Sequence, residues 1–394
     1  MSVSVESIDA GTQYRELVRE HGSPLLVVDC AALRARYALL QRALPDVAFY
    51  YAVKSFPDPI VVRELLALGS GFDLATVGEI SMAQSLGIAP RRTIHTHPIK
   101  TNADIQAALR FGCTTFVVDN AVELQKFVRY RHRVGLMLRV GFRNESAQVD
   151  LARKFGCAPE HAVGLLRQAT DLGIHVKGLS FHVGSQCATP SAHVDAIHAS
   201  AALFEEFASR GFAPMNVLDI GGGFPADYDG STTPLGAFCA PIVEALRALP
   251  EHINVTAEPG RCLSAPVATS ISSVIGKSLR GDQMWYYLDD GVYGSFSGQI
   301  FDHAEYPLTV FGPKVTHNDA VLAGPTCDSI DVVAEGVSLP DLGLGDIVIG
   351  RQMGAYTAAS ATDFNSIRRA KHVYLNEACA DGGADVVDAG LSRA

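Results

Sequence analysis

Lys54 follows an apolar, β-rich run in FYYAVKSFPDP. An amine that leaves such a strand for a cavity loses hydration, which disfavours its charged form and makes it a nucleophile toward carbonyl carbon. Taken alone, a lysine in this position is more often a solvated loop charge. Other residues of marked chemistry follow other apolar runs: Asp73 in GFDLATVGEI, Arg139 in LMLRV, His182 in SFHVGSQ, Gly221, Gly222 and Gly223 in LDIGGGFP, and Glu258 and Arg261 in AEPGR. Each has a plain reading too. Three glycines make a flexible turn, His182 a satisfied core histidine, and Glu258 a turn residue with a surface ion pair. As a set they offer an amine nucleophile, a flat ring for stacking, backbone N–H groups with a guanidinium beside them for a phosphate, and a carboxylate. Those are the parts that a pyridoxal phosphate (PLP) site needs.

Such groups act together only if the chain carries them to one place. Eight short apolar runs read as strands: Val47 to Val53, Phe72 to Leu74, Thr93 to Thr96, Thr115 to Val118, Gly135 to Val140, Val176 to Phe181, Val217 to Ile220 and Asn254 to Ala257. Between them lie segments of helical period at 60–68, 79–86, 102–111, 122–130, 160–172, 193–210 and 235–248. Alternation of this kind predicts an α/β fold, a (β/α)8 TIM-type barrel, in which residues at the C-terminal ends of strands share one face. Lys54, Asp73, Arg139, His182, the three glycines and Glu258 all fall at or near such ends. After Arg261 the chain turns to strand-like runs broken by Gly, Pro and Asp, which predicts a second, mainly β domain of sandwich or barrel type. The expected division is an N-terminal segment 1–30, whose strand SPLLVVD joins the β domain, a PLP-binding barrel 31–262 and a β domain 263–394.

Composition narrows the classes further. With 394 residues, 48% hydrophobic and 19% charged, the chain suits two globular domains rather than one core. A net charge of -10 with no basic block argues against a nucleic-acid partner. The N-terminus MSVSVESIDAG lacks the basic and apolar regions of a secretory signal, and no run suits a membrane span, so a cytoplasmic protein is expected. Eight scattered cysteines without C-x-x-C spacing are expected to be thiols, mostly buried. His95 and His97 lack a companion acidic cluster, which leaves a metal-dependent barrel hydrolase with little support and no metal expected. The Gly- and Ala-rich tail from Ala380 is expected to fray.

Across most of its length the chain resembles the alanine-racemase-fold (fold type III) PLP decarboxylases, above all the ornithine decarboxylases. YYAVK, GFDLATVGEI, SFHVGSQ, LDIGGGFP, AEPGR, DDGVYGSF, FDHA, GPTCDSID and MGAYT carry the resemblance, in family order. It implies that Lys54 carries PLP covalently, that His182 stacks on the pyridine ring and that Glu258 keeps a proton on the ring nitrogen. Ser185, Gly221 to Gly223, Arg261 and Tyr356 are implied to bind the phosphate, and Asp73, Glu79 and Arg139 to support the lysine and ring. The resemblance further implies a head-to-tail homodimer with shared sites, in which Cys327 and Asp328 act in the partner's site. Cys327 would protonate the α-carbon after CO2 leaves, Asp328 and Asp302 would receive the distal ammonium of a small amino acid, and Tyr293 and Phe364 would line that pocket.

On this reading the enzyme is a lyase that decarboxylates L-ornithine to putrescine for polyamine biosynthesis. Two carboxylates suit a terminal ammonium, because either acid left unpaired in a dry pocket is costly. Lysine, alone or alongside ornithine, is the nearest alternative, since one methylene separates the two by only about 1–3 kcal/mol. GPTCDSID lacks the glutamate that follows the cysteine in diaminopimelate decarboxylases. More distant readings are a pathway-specific decarboxylase, a racemase or a non-catalytic regulatory homologue, the last opposed by the retained phosphate and ring contacts. Ser55 and Phe56 depart from the family pattern after the lysine, with Phe56 expected to reshape the entrance, and Phe301 replaces the usual tyrosine before Asp302.

Overall fold

The computed structural model describes residues 3–142, 147–149 and 153–378; Cys379 and the tail from Ala380 lie outside the described residues. The chain forms two compact units: Arg34–Pro225 with Thr233–Cys262, and the described residues within Met1–Leu33, Ala226–Thr232 and Leu263–Ala394. The segment Ala226–Thr232 thus leaves the first unit to join the second, an excursion with no mark in the sequence pattern. Within the second unit Ala226 packs in an apolar cluster with Ala265 and Ala355, which explains its place there.

The first unit is a closed parallel barrel of eight strands. They are β1 (Val47–Ala52), β2 (Gly71–Leu74), β3 (Thr93–His95), β4 (Thr115–Val118), β5 (Gly135–Arg139), β6 (Val176–Ser180), β7 (Val217–Asp219) and β8 (Asn254–Ala257). The ring closes where Val255 of β8 pairs with Val47 of β1. Strands buried on both faces need apolar residues at successive positions, and Phe116, Val117, Val118, Leu136, Met137 and Leu138 are all at most 3% exposed. Several strands end one residue earlier than their apolar runs. Val53, Thr96, Val140, Phe181 and Ile220 stay buried at the barrel mouth after the chain has left the ladder. Apolarity there reports burial, not pairing.

The intervening helices start and stop where local chemistry dictates. Asp58 caps Pro59–Ala67 by accepting from the N–H groups of Ile60 and Val61. Thr101 and Asp104 form a reciprocal capping box on Asn102–Phe111, and Gly112 ends that helix at φ 104°, a conformation that favours glycine. Two of the longer helices, Thr12–His21 and Cys30–Ala43, have no counterpart in the sequence expectation. Thr12–His21 has no fully buried residue, but Tyr14, Leu17 and Val18 form a short half-buried stripe that packs on the core of the β unit. Cys30–Ala43 did carry a signal, since Leu33, Tyr37, Leu40 and Leu44 follow helical spacing and are at most 3% exposed.

The second unit is built on a nine-stranded sheet. The strand Leu25–Asp29 pairs antiparallel with Ala268–Ile271 and parallel with Lys371–Leu375. Leu25, Val27, Ile271, Ile347, Ile349 and Val373 form its core. Six of the seven described cysteines are buried, Cys327 is exposed, and none of the seven is in a disulfide. Among the described residues no helix is long and apolar enough to cross a membrane.

Candidate active site

Strand β1 ends in a tight 3-10 turn, Val53–Ser55, that turns Lys54 out of the ladder. The residues after it face inward. Ser55 is 0% and Phe56 1% exposed; Ser55 Oγ donates to Tyr51 OH at 3.1 Å, and that hydroxyl donates to the Phe56 carbonyl at 3.2 Å. The departures at 55 and 56 therefore change the packing beneath the lysine, and the expectation that Phe56 reshapes the entrance is corrected: its ring is spent on the barrel core. Lys54 Nζ lies 3.1 Å from Asp73 Oδ2. Asp73 is 1% exposed, and its other oxygen accepts from Thr96 Oγ1 at 2.5 Å. Glu79, in the helix Val77–Ser85, folds back to accept from the Ala75 N–H. Burial, joined by the Asp73 charge, pushes the Glu79 carboxyl up.

Arg139, at the end of β5, is 8% exposed, and its Nη2 has no hydrogen-bond partner. Its burial weakens its hold on a proton, offset by the charges of Glu258, Asp119, Asp219 and Asp73. His182 stands two residues beyond β6, and its Nδ1 accepts the Gly184 N–H at 3.2 Å, which leaves the ring proton of the neutral form on Nε2. Burial, then the charges of Arg139 and Lys54, hold His182 well below the ordinary histidine range. A neutral, oriented ring is what stacking on a flat cofactor calls for. Glu258, the residue after β8, is 6% exposed, and burial with the neighbouring Asp219 and Asp73 charges pushes its carboxyl well up.

The anion cradle forms beside these groups. Arg261, 5% exposed, donates from Nε at 3.3 Å and Nη2 at 2.9 Å to Ser185 Oγ, setting a guanidinium and a hydroxyl side by side. Gly221 and Gly223 adopt φ of 65° and 101°. His193 bonds the Gly222 carbonyl through Nε2 at 3.0 Å and is kept neutral by burial, which lowers it to about 4. A Cβ at Gly222 would meet the Glu258 carbonyl at 2.8 Å and His182 Nε2 at 3.1 Å, so no side chain fits there. The cradle, the unpartnered guanidinium nitrogen of Arg139 and the buried acid at Glu258 fit the phosphate, the flat ring and the ring nitrogen of PLP. Gly222→Ala should fold, because its barrel core is untouched, but bind PLP about 10-fold or more weakly, the size of a modest overpacking strain. Fluorescence titration of the cofactor-free variant with PLP checks this.

His95, on β3, is also buried, and it tests the barrel's response to acid. Burial lowers it from 6.5 to about 4, with Lys100 adding to the shift. The unfolded chain then takes up a proton near pH 6.5 that the folded chain refuses until about pH 4, so this histidine removes stability as pH falls through that window. In His95→Phe, stability should fall less over the same interval, by about 3 kcal/mol relative to the native chain. Urea denaturation of both proteins at the two ends of the window measures it. No cluster of histidine, cysteine and acidic residues suited to a metal occurs among the described residues.

In the second unit, Tyr293 OH donates to Asp328 Oδ2, and the Tyr293 ring stacks on Phe364 at 4.4 Å. That hydrogen bond holds the Asp328 carboxyl below its ordinary range and raises the phenol to about 12. Asn365 Oδ1 accepts from the Cys327 N–H at 3.1 Å and from its thiol at 3.3 Å. Asp302 is 8% exposed at the end of the short helix Gly298–Phe301, whereas Phe301 is 62% exposed. Tyr356 has a φ of 54°, and its ring packs on the Ala226, Ala265 and Ala355 cluster. The structure thus gathers Lys54, Asp73, Glu79, Arg139, His182, Ser185, Gly221 to Gly223, Glu258 and Arg261 at the C-terminal ends of the barrel strands. It separately gathers Cys327, Asp328, Tyr293 and Phe364 in the β unit. Sequence reasoning missed Thr96, His193, Asp219 and Asn365. Asp219 lies inside the LDIGGGFP motif and Asn365 beside Phe364, so both were in view without an assigned task.

Known proteins match this arrangement. The family model for the pyridoxal-dependent decarboxylase, pyridoxal binding domain, covers residues 30–265. The lysine/ornithine decarboxylase of Vibrio vulnificus, solved with putrescine and again with cadaverine, is 50% identical over 95% of this chain and 100% of that one, with a TM-score of 0.90. The lysine/ornithine decarboxylase of Selenomonas ruminantium is 36% identical over 366 residues, 93% of each chain. The ornithine decarboxylase of Rattus norvegicus is 33% identical over 89% of this chain and 80% of that one. The cofactor that the barrel residues fit is accordingly pyridoxal phosphate, and the chain belongs to the fold type III PLP-dependent decarboxylases that act on basic amino acids.

Proposed function

We propose that this protein is a cytoplasmic decarboxylase of L-ornithine that also accepts L-lysine, supplying putrescine and cadaverine as polyamine precursors. The observation that carries the reading is the half-identical Vibrio vulnificus relative, whose structures hold both diamines. Bound PLP supplies an electron sink for the bond that releases CO2. The chain's own residues do the rest. Lys54 Nζ carries the cofactor and yields it to the substrate amine. Glu258 holds the ring-nitrogen proton, His182 stacks on the ring, and Ser185, Gly221 to Gly223, Arg261 and Tyr356 hold the phosphate. Asp73, Glu79 and Arg139 set the charge around them. Asp302 and Asp328 receive the distal ammonium, with Tyr293 and Phe364 fixing the position of Asp328.

The direct test is CO2 release by the purified holoenzyme from ornithine, lysine and diaminopimelate. Ornithine should exceed lysine in kcat/KM by about 10-fold, within the range that one methylene allows. Diaminopimelate should be inert. Preference for diaminopimelate, or inversion of an amino acid without CO2, contradicts the reading.

We further propose a head-to-tail homodimer in which Cys327 and Asp328 serve the partner's site, where Cys327 returns the proton to the α-carbon. Neither the Lys54→Ala nor the Cys327→Ala chain should be active alone. Mixed subunits should regain roughly a quarter of native activity, because half of random dimers are hybrids and each hybrid holds one intact site. Absence of recovery despite demonstrated subunit exchange contradicts the shared site.

A further inference from the structure

One buried acid has no task in the account above. Asp219 ends β7 and is 0% exposed. Its Oδ1 accepts the Gly221 N–H at 2.9 Å, while Oδ2 meets no N–H or O–H donor. Strand register explains what Asp219 faces instead. Asp219 pairs with Thr256 on β8, Glu258 lies two residues further on the same face, and the Glu258 N–H bonds the Gly221 carbonyl at 2.8 Å. The two buried carboxyl groups lie near enough that the Asp219 charge opposes ionisation of Glu258.

Two buried carboxylates on one face cannot both stay ionised without cations to offset them. The ionisable groups facing the pair are Asp73, Lys54 and Arg139, together with the Tyr50 phenol, whose ionisation Asp219 opposes. Three carboxyl groups therefore face two cations, and Lys54 is already engaged with Asp73. The cluster is short of one positive charge. A proton between Asp219 and Glu258 makes up the deficit, and burial raises both acids in the direction that retains it.

We propose that Asp219 is a positioning residue for Glu258: the two carboxyl groups hold one proton between them in the cofactor-free protein and move it to the pyridine nitrogen when PLP binds. This rests on the reading in which Glu258 meets that nitrogen. The step balances: a carboxyl O–H bond breaks, its electron pair stays on oxygen, and the ring nitrogen's lone pair takes the proton. Afterwards two carboxylates, rather than one, face the pyridinium, and the second negative charge strengthens the nitrogen's hold on its proton.

Asp219→Asn keeps the shape and the acceptor for Gly221 but has neither the charge nor the shared proton. With PLP labelled by nitrogen-15 in the ring, NMR of the holoenzyme should show the native nitrogen protonated throughout the range in which the protein is folded. The Asp219→Asn nitrogen should lose its proton about tenfold or more readily, a midpoint at least about one pH unit lower. An unchanged titration overturns the proposal. Glu258→Gln, measured alongside, separates the two layers: if its ring nitrogen also titrates as in the native enzyme, the assignment of Glu258 to the ring has failed. Infrared difference spectra of the native protein decide the question without any variant. A buried carboxylic acid band should disappear as PLP binds, and a spectrum without that loss overturns the proposal.

Discussion

Lys54→Ala should lower kcat by at least about 10³-fold for ornithine and lysine alike, while the variant still folds and still takes up PLP. The size follows from losing covalent catalysis: without Nζ no residue hands the cofactor to the incoming amine or displaces the product. The fold should tolerate the change. Lys54 is 41% exposed, which screens the pair, and Asp73, although buried, keeps its bond from Thr96, which offsets part of the cost of losing the ammonium. Uptake of PLP should persist if, as proposed, Ser185, Arg261 and the Gly221 to Gly223 backbone hold the phosphate independently of the lysine. Single-turnover assays beside cofactor titration check both halves. Native-like turnover in Lys54→Ala would remove the lysine from the chemistry.

The second large effect belongs to Asp328. Its alanine variant should raise KM for ornithine and lysine by about 10²-fold, with a smaller fall in kcat, because the substrate's distal ammonium loses its charge partner. The Tyr293 hydroxyl keeps this carboxylate ionised by donating to it, so at neutral pH it offers a full negative charge to an ammonium. Asp328→Asn keeps the shape and should lose nearly as much, which identifies charge as the operative property. Steady-state kinetics on both variants settle it. An unchanged KM would place the distal ammonium elsewhere.

The barrel could be read from the sequence because each of its strands must be apolar at successive positions, and that run is hard to mimic by chance. Phe116 to Val118 and Leu136 to Leu138 show it plainly. The positions of Lys54, His182 and Glu258 at strand ends followed from the same count. What the pattern could not give was partnership across the barrel. Nothing in DLATVGE announces that Thr96, just past another strand, will hold Asp73, and nothing in LDIGGGFP announces that Asp219 will face Glu258. Those contacts depend on register between strands far apart in the chain. Phe56 failed for a related reason: its neighbour Lys54 turns out of the ladder, and a single residue of turn geometry decides whether the next side chain lines the mouth or fills the core. The excursion of Ala226–Thr232 into the second unit was hidden likewise, since small and polar residues read as a loop wherever that loop docks.

The claim on which the rest depends is that PLP sits on Lys54. Reducing the holoenzyme with borohydride, digesting it and sequencing the labelled peptide by mass spectrometry should find a pyridoxyl phosphate group on Lys54 and on no other lysine. Label on Lys100, a lysine that is buried in the barrel unit, or on none at all, would contradict it.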